Sequence, residues 1–489
     1  MTIWHEERLL IDGELVPADN GSTYDNRSPF TEEVIGVAAD ATVGDARRAI
    51  AAARKAFDTT GWSRDSELRV RCLRQLHQAL VDHAEQFRKI LVSEVGMPYQ
   101  TTFGAGLDAP TRSVEWYADL LETYQFSEDL GVAEVWGSQH RRWVEKEAAG
   151  VVAAIVAYNY PVQLALAKIA PALAAGCTVI LKGAPQTPWS ALALGRIVAE
   201  HTDIPAGVVN VITSSSADVA SELTTHEDVD LVTFTGSTPV GKKIMSAAAD
   251  TVKRVFLELG GKSAMVVLDD ADMNTAAAFC SYAVVSHSGQ GCAITSRLIV
   301  PRERYDEVAA VAGHILSTIP YGDPADPDNR MGPLISAEQR AKVAGYVDRA
   351  VAGGAKAVVG GAIPEHLATG YFYEPTLIVG ADEDSEIAQD ELFGPVLVLL
   401  PHDGDEDAIR IANNSIFGLS GAVLSADRDR ALKVARAVRA GTMSVNGGLY
   451  FSPDAPFGGY KQSGFGREMG VASMDEFLER KTLAEPVSG

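Results

Sequence analysis

Apolar positions in the middle of the chain come in short unbroken runs, at residues 151–157, 178–181, 208–212, 231–234 and 255–257, rich in valine and isoleucine. Stretches of roughly 10 to 15 residues with helical periodicity separate them. Strands buried on both faces read as continuous runs rather than alternations, and helical crossovers between them impose parallel pairing. The pattern predicts a doubly wound, Rossmann-like α/β sheet that gathers ligands at the carboxyl ends of its strands.

On either side the periodicity changes. Before residue 135 it is mostly helical: 46–56 alternates small and charged residues, and 66–95 sets Leu68, Cys72, Leu73, Leu76, Leu80, Phe87 and Leu91 at helical spacing. Residues 135–147 mix aromatic, β-branched and charged side chains around Gly137-Ser138, which predicts a hairpin outside the main fold. After Lys262 a second α/β unit is expected. Its helices fall at 272–286, 303–318, 336–352, 405–414 and 427–440, its strands at 296–300 and near 357, 377, 396, 421 and 443, with a Pro/Asp-rich loop over 322–333. Beyond Asn446 the chain turns glycine-rich and ends in an edge strand near 476–484. The expected units are 1–134 with 148–259, then 260–455, and a small β element from 135–147 and 470–489.

Single cores stop growing at roughly 250 to 300 residues, so several are needed here. Lys and Arg number 42 against 65 Asp and Glu, a formal charge of −23, in a chain of 489 residues that is 46% apolar. Such a surface repels phosphate backbones and anionic lipid, which argues against nucleic-acid and membrane partners. No run approaches the roughly 20 apolar residues of a membrane span. Residues 1–7 carry no export or organellar signature, and the four scattered cysteines, Cys72, Cys177, Cys280 and Cys292, form neither a disulfide framework nor a metal-ligand spacing. A cytoplasmic location, reduced thiols and no metal are expected.

Candidate chemistry collects at strand ends. Cys292 sits among small residues in Gly289-Gln290-Gly291-Cys292, between a helix and a strand, whereas the other cysteines lie inside helical or strand patterns. A lone cysteine is more often buried filler, but a thiol so placed suits a nucleophile, provided that a base or a lowered pKa activates it. Glu258, closing the fifth run and followed by Gly260-Gly261, is the candidate base; its alternative is a strand-end carboxylate bonded to backbone. Asn159 in Tyr158-Asn159-Tyr160-Pro161 can donate to an oxyanion, although read alone it is a turn-forming residue before a helix. Lys182 ends the run Val179-Ile180-Leu181 and suits a ribose or phosphate, unless it is merely solvated. The stretch Phe234-Thr235-Gly236-Ser237-Thr238-Pro239-Val240-Gly241 leads a strand into a helix whose free N–H groups suit an anion. Ser237 or Thr238 would cap that helix, and an ordinary strand-to-helix turn explains the stretch equally well.

Together these elements resemble the aldehyde dehydrogenase superfamily over nearly the whole chain. The resemblance rests on Tyr-Asn-Tyr-Pro at 158–161, Phe-Thr-Gly-Ser at 234–237, Glu-Leu-Gly-Gly-Lys at 258–262 and Gly-Gln-Gly-Cys at 289–292. Glu-Leu-Phe-Gly-Pro at 391–395 and the Pro-Phe-Gly-Gly-Tyr-Lys run from 456 complete it, in family order and spacing. It implies a Rossmann-like cofactor domain (1–134 and 148–259), a catalytic domain (260–455) and an oligomerisation element that makes homodimers or homotetramers. It also implies NAD(P)-dependent oxidation of an aldehyde to an acid: Cys292 attacks, Asn159 holds the oxyanion with the Cys292 N–H, and Glu258 activates water against the thioester. Cofactor contacts would come from Lys182, Gly236, Ser237, Gly241, Glu391, Phe393, Val156, Tyr158 and Leu259. NAD is expected, and NADP stays open because Pro185 stands where NAD-preferring relatives carry a glutamate. The acyl pocket would be lined by Tyr160, Leu164, Ala167, Ile294, Phe451 and Phe457, which favours medium-chain, aromatic or terpenoid aldehydes over charged semialdehydes. A coenzyme A-acylating dehydrogenase would use the same thiol, but such relatives usually lack the residue matching Glu258. A thiol esterase would leave Lys182, Gly236 and Glu391 unexplained, and a non-catalytic protein on this fold would not need nucleophile, base and amide together.

Overall fold

The computed structural model describes residues 4–487. Residues 1–3 and 488–489, the extreme ends of the expected units and part of the segment read for targeting signals, lie outside the described residues. The five apolar runs form the parallel centre of an eight-stranded sheet ordered Glu14–Val16, Leu9–Ile11, Val209–Ile212, Thr178–Lys182, Val151–Ile155, Leu231–Thr235, Arg254–Glu258, Gly464–Phe465. Four of the five are buried at every position, which is why they read as unbroken runs. Helices Pro161–Ala175, Pro188–His201, Ala217–Thr225 and Thr238–Ala248 make the crossovers. Chain order reverses between Val151–Ile155 and Leu231–Thr235, opening a crevice at their carboxyl ends. Register sets Ile155, Lys182 and Ile212 in one row and Thr235 beside Glu258.

The stretch before residue 135 is less helical than its periodicity predicts. Helix Val43–Thr59 is closed at its start by a reciprocal cap between Thr42 and Asp45, and helices Ser66–Asp82 and Ala84–Ile90 follow. Strands Leu9–Ile11, Glu14–Val16, Thr23–Arg27 and Val34–Ala39 precede them, the first two too brief to leave a period-2 signal. Leu10 pairs with Val211, adding an antiparallel edge to the parallel sheet.

Residues beyond Lys262 build a second sheet, ordered Lys356–Val359, Thr376–Val379, Val396–His402, Thr295–Pro301, Ser263–Val267, Ser420–Leu424, Thr442–Val445 and parallel except at its first strand. Its two faces bury separate cores. Val266, Val398 and Leu400 go to one, and Met265, Val267, Leu397 and Leu399 to the other, as side-chain alternation requires. The hairpin is wider than 135–147: strands Ser127–Val135 and Ser138–Ala148 turn at Trp136 and Gly137, both at positive φ. No residue of its first strand is buried, Leu130 and Val132 included, so no buried face marks it. Leu478–Pro486 completes a three-stranded sheet on the other side of Ser138–Ala148.

Candidate active site

Cys292 lies in the connection between helix Met273–Val285 and strand Thr295–Pro301. The chain reaches it through His287 (φ 46°) and Ser288 (φ 59°), conformations that L-residues adopt at a cost, and then Gly289 (φ 74°). A side chain at Gly289 would put its Cβ 2.1 Å from the carbonyl oxygen of Gly394, so only glycine lets the two loops touch. Gln290 fastens the loop: its Oε1 accepts from the Ile335 N–H at 3.0 Å, and its own carbonyl accepts from Asn159 Nδ2 at 2.8 Å. Asn159 is thus both the turn residue before helix Pro161–Ala175 and an inward-facing amide that fixes the cysteine loop.

Glu258 ends its strand almost wholly buried, and neither carboxylate oxygen has a hydrogen-bond partner among the described residues. The alternative of a backbone-bonded strand end is therefore not met. Burial, reinforced by repulsion from Glu468, holds its carboxyl well above the usual range, while Lys168 and Arg467 pull it down. Glu468 Oε1 accepts from Lys168 Nζ at 2.7 Å in a pair with almost no exposure. The Cys292 thiol is pushed up as well, by burial first and then by Glu391, Glu258 and Glu468. A Cβ on Gly260 would meet Glu391 Oε2 at 2.3 Å, and one on Gly261 the Cys292 carbonyl at 2.4 Å; the glycine that leaves room for Glu258 is Gly458, where an added Cβ would stand 2.7 Å from Oε1.

Cys292, Asn159 and Glu258 converge on one cavity of about 350 Å³. Tyr160, Leu164, Ile294, Phe451 and Phe457 line it, and the rings of Phe451 and Phe457 pack edge to face at 6.3 Å. Ala167 does not: one turn beyond Gln163 and Leu164, its methyl stops short of the cavity. Sequence reasoning missed Gln163, Phe279, Ser286 and Tyr450 in the wall, and Glu468 with its partner Lys168 behind Glu258. Gln163 stands three residues after Tyr160 and four before Ala167, so helical spacing alone would have found it. Tyr450 adjoins the expected Phe451, whereas Phe279 and Glu468 come from segments that carried no site candidate.

The remaining candidates gather at the strand ends of the first sheet and the facing loop. Lys182 is buried rather than solvated; its Nζ donates to the carbonyls of Gly183 (3.2 Å) and Ser214 (3.4 Å), and burial lowers its pKa to about 8. Val156 follows in the row, its N–H on the Lys182 carbonyl at 3.3 Å. Ser237 occupies the N-cap of helix Thr238–Ala248 but makes no capping bond, and Thr238 Oγ1 instead donates to the Gln462 carbonyl at 3.1 Å. The expected cap is therefore absent, which leaves the first N–H groups of an eleven-residue helix without a side-chain partner. Gly236 and Gly241 allow close packing: a Cβ at Gly236 would meet Phe234 at 2.3 Å, and one at Gly241 would meet Leu259 at 2.7 Å. Glu391 accepts from the Gly261 N–H at 3.0 Å, its carboxyl raised to about 7 by burial. Phe393, at φ 60°, sets its ring edge to face with Tyr158 at 6.0 Å.

Among the described residues no group of three or more His, Cys, Asp or Glu is placed to hold a metal ion, and no helix is long and apolar enough to cross a membrane. Residues 15–483 match the model of the aldehyde dehydrogenase family. A 3-succinoylsemialdehyde-pyridine dehydrogenase of a Pseudomonas species is 41% identical over 97% of this chain and 98% of its own length. Two solved structures, each 35% identical over 98% of this chain, superpose closely. Betaine aldehyde dehydrogenase from Staphylococcus aureus in complex with NAD+ has a TM-score of 0.95 over 94% of its own chain. A mutant aldehyde dehydrogenase from Pseudomonas syringae complexed with NAD+ and octanal has a TM-score of 0.92 over 96% of its own. With family match, relatives and site chemistry in agreement over nearly its full length, the chain belongs to the aldehyde dehydrogenase family.

Proposed function

We propose that this enzyme oxidises an aldehyde to its carboxylic acid through a thioester on Cys292, with Glu258 as base and Asn159 as oxyanion donor. The observation that carries the proposal is the convergence of these three side chains on one cavity. The thiol proton passes to Glu258 as sulfur bonds the carbonyl carbon, and the oxygen so charged is held by the Asn159 amide and the Cys292 N–H. Asn159 spends one amide hydrogen on Gln290 and keeps the other for this role. After the carbon is oxidised, Glu258 gives up the thiol proton to solvent and then takes a proton from water, whose oxygen attacks the thioester; the carbon–sulfur bond breaks, the thiolate recovers a proton from Glu258 and the acid leaves.

The donor set fits a nicotinamide dinucleotide, which when bound supplies the hydride acceptor. The uncapped helix end behind Gly236 and Ser237 suits its diphosphate, Lys182 one ribose and Glu391 the other. Gly241 and Leu259 would close the crevice, with Val156, Tyr158 and Phe393 about the ring. NAD is the acceptor we assign, in keeping with the NAD+ complexes of both solved relatives. The division of labour follows the sheets: the first binds cofactor, the second carries the nucleophile, and the three-stranded one joins copies into a homodimer or homotetramer.

No lysine, arginine or histidine lines the acyl cavity. An anionic aldehyde would find no counter-charge there, whereas an apolar body meets Leu164, Ile294, Phe279, Phe451 and Phe457. Medium-chain, aromatic or terpenoid aldehydes are the substrates this wall favours. Relatives named for a pyridine-bearing semialdehyde and complexed with octanal are of that kind. The test is an aldehyde panel assayed with NAD and NADP, with and without coenzyme A, on native enzyme and Cys292→Ala. Surviving nicotinamide reduction in the variant sinks the mechanism; a higher kcat/KM for succinic semialdehyde than for octanal and benzaldehyde sinks the substrate class.

A further inference from the structure

The geometry points to Gln163 as a specificity-determining residue of the acyl cavity, selecting aldehydes whose apolar body carries one uncharged hydrogen-bonding group. The inference rests on the aldehyde-oxidising function proposed above and narrows its substrate. Two side-chain amides stand in the cavity wall. Asn159 is engaged with the Gln290 carbonyl. Gln163 is not: its Oε1 is sealed from solvent without a hydrogen-bond partner among the described residues, although the side chain is only half-buried and faces the cavity. Two hydroxyls elsewhere in the wall have partners of their own: Ser420 Oγ is paired with Tyr450 Oη at 2.7 Å, and Ser444 Oγ donates to the Gly448 carbonyl at 2.8 Å. Glu258 and Thr235 also line the cavity unpartnered, but they sit side by side at the strand ends, beside the reacting thiol.

A buried amide without a partner is unfavourable in an apolar wall, and buried polar groups are nearly always paired. The free amide is resolved if the substrate supplies the partner. The unpartnered atom is an acceptor, so a donor on the substrate, a hydroxyl above all, pairs with it. An anionic group does not, since among the described residues no lysine, arginine or histidine lines the cavity. Recognition of this kind discriminates against analogues that lack the polar group, by roughly 3- to 10-fold for one neutral hydrogen bond.

Matched aldehydes test this: hexanal with 6-hydroxyhexanal, and benzaldehyde with 3-hydroxybenzaldehyde and pyridine-3-carbaldehyde, on native enzyme, Gln163→Leu and Gln163→Glu. In the native enzyme at least one hydroxylated member is expected to exceed its parent in kcat/KM by roughly 3- to 10-fold, mainly through KM. Gln163→Leu should bring that ratio to about one, and Gln163→Glu, which keeps acceptors but no donor when ionised, should restore preference for the hydroxylated aldehydes alone. Equal ratios in native enzyme and Gln163→Leu, or no preference for a hydroxylated member in any native pair, overturn the assignment while leaving aldehyde oxidation standing. Failure of native enzyme to oxidise any of the five removes the function itself, and the inference with it.

Discussion

Glu258 illustrates how a single carboxyl is tuned by neighbours far away in sequence. In the role proposed for it, it must arrive ionised to take a proton, yet burial and Glu468 hold it protonated to a pH above the ordinary glutamate value of about 4.3. Rate should therefore rise with pH through that raised value, and the acid limb of the kcat profile should lie above the usual carboxylate range. Lys168→Met removes a charge that pulls the carboxyl down, so the limb should move to higher pH; Glu468→Gln removes a repulsion and should move it lower. Stopped-flow pH profiles check the pair, and shifts of the same sign would show that neither charge acts through Glu258. Lys168→Met also strands Glu468 in the interior, which should cost about 3 to 5 kcal/mol in urea or thermal unfolding. Of this group only Glu258 was legible from sequence. It closes an apolar run inside a recognisable motif, whereas Lys168 and Glu468 lie 300 residues apart and no spacing rule joins them. For Lys182 likewise a solvated ammonium stood beside the ribose or phosphate reading, because periodicity reports strand ends and not what covers them.

Among the elements, the cysteine loop depends on close approach more than on any bond it makes. Gly289→Ala asks for a positive φ and sets a methyl into the Gly394 carbonyl at 2.1 Å, whereas Gly447→Ala asks for a similar φ (79°) with nothing within 4 Å. Left-handed conformation alone costs an L-residue roughly 1 to 2 kcal/mol, so Gly447→Ala should lose about that much. Gly289→Ala should lose several-fold more activity and more stability, because backbone must shift to admit the methyl. Thermal melts of both variants beside steady-state rates give the comparison; equal losses would mean that the contact between loops is dispensable. Element type was legible wherever burial made the pattern uniform, as in the five apolar runs and helix Met273–Val285. It was not legible in the three-residue strands near the N-terminus, nor in strand Ser127–Val135, which has no buried face to reveal it.

At the scale of the whole molecule, the last strand is bound to a distant part of the chain by an unbroken ladder, Leu478 opposite Ala148 through Pro486 opposite His140. Removing the residues after Phe477 bares the full length of Ser138–Ala148, an open edge of the kind that pairs with other chains. Size-exclusion chromatography should find the native chain as a discrete dimer or tetramer and the truncated chain as monomer or polydisperse aggregate. An unchanged elution profile would place the assembly surface elsewhere.

The strand that carries Glu258 gains its outer neighbour only from Gly464–Phe465, with the Leu259 N–H on the Ser463 carbonyl at 2.9 Å and Ser463 Oγ donating to the Gly260 carbonyl at 2.6 Å. During synthesis, Cys292 therefore leaves the ribosome long before the segment that encloses its base. A chain growing at roughly 5 to 20 residues per second passes several seconds or more with the thiol made and the site unbuilt. The site therefore stays unassembled until residues 464–465 are made, and a chain broken off before them should not turn over aldehyde.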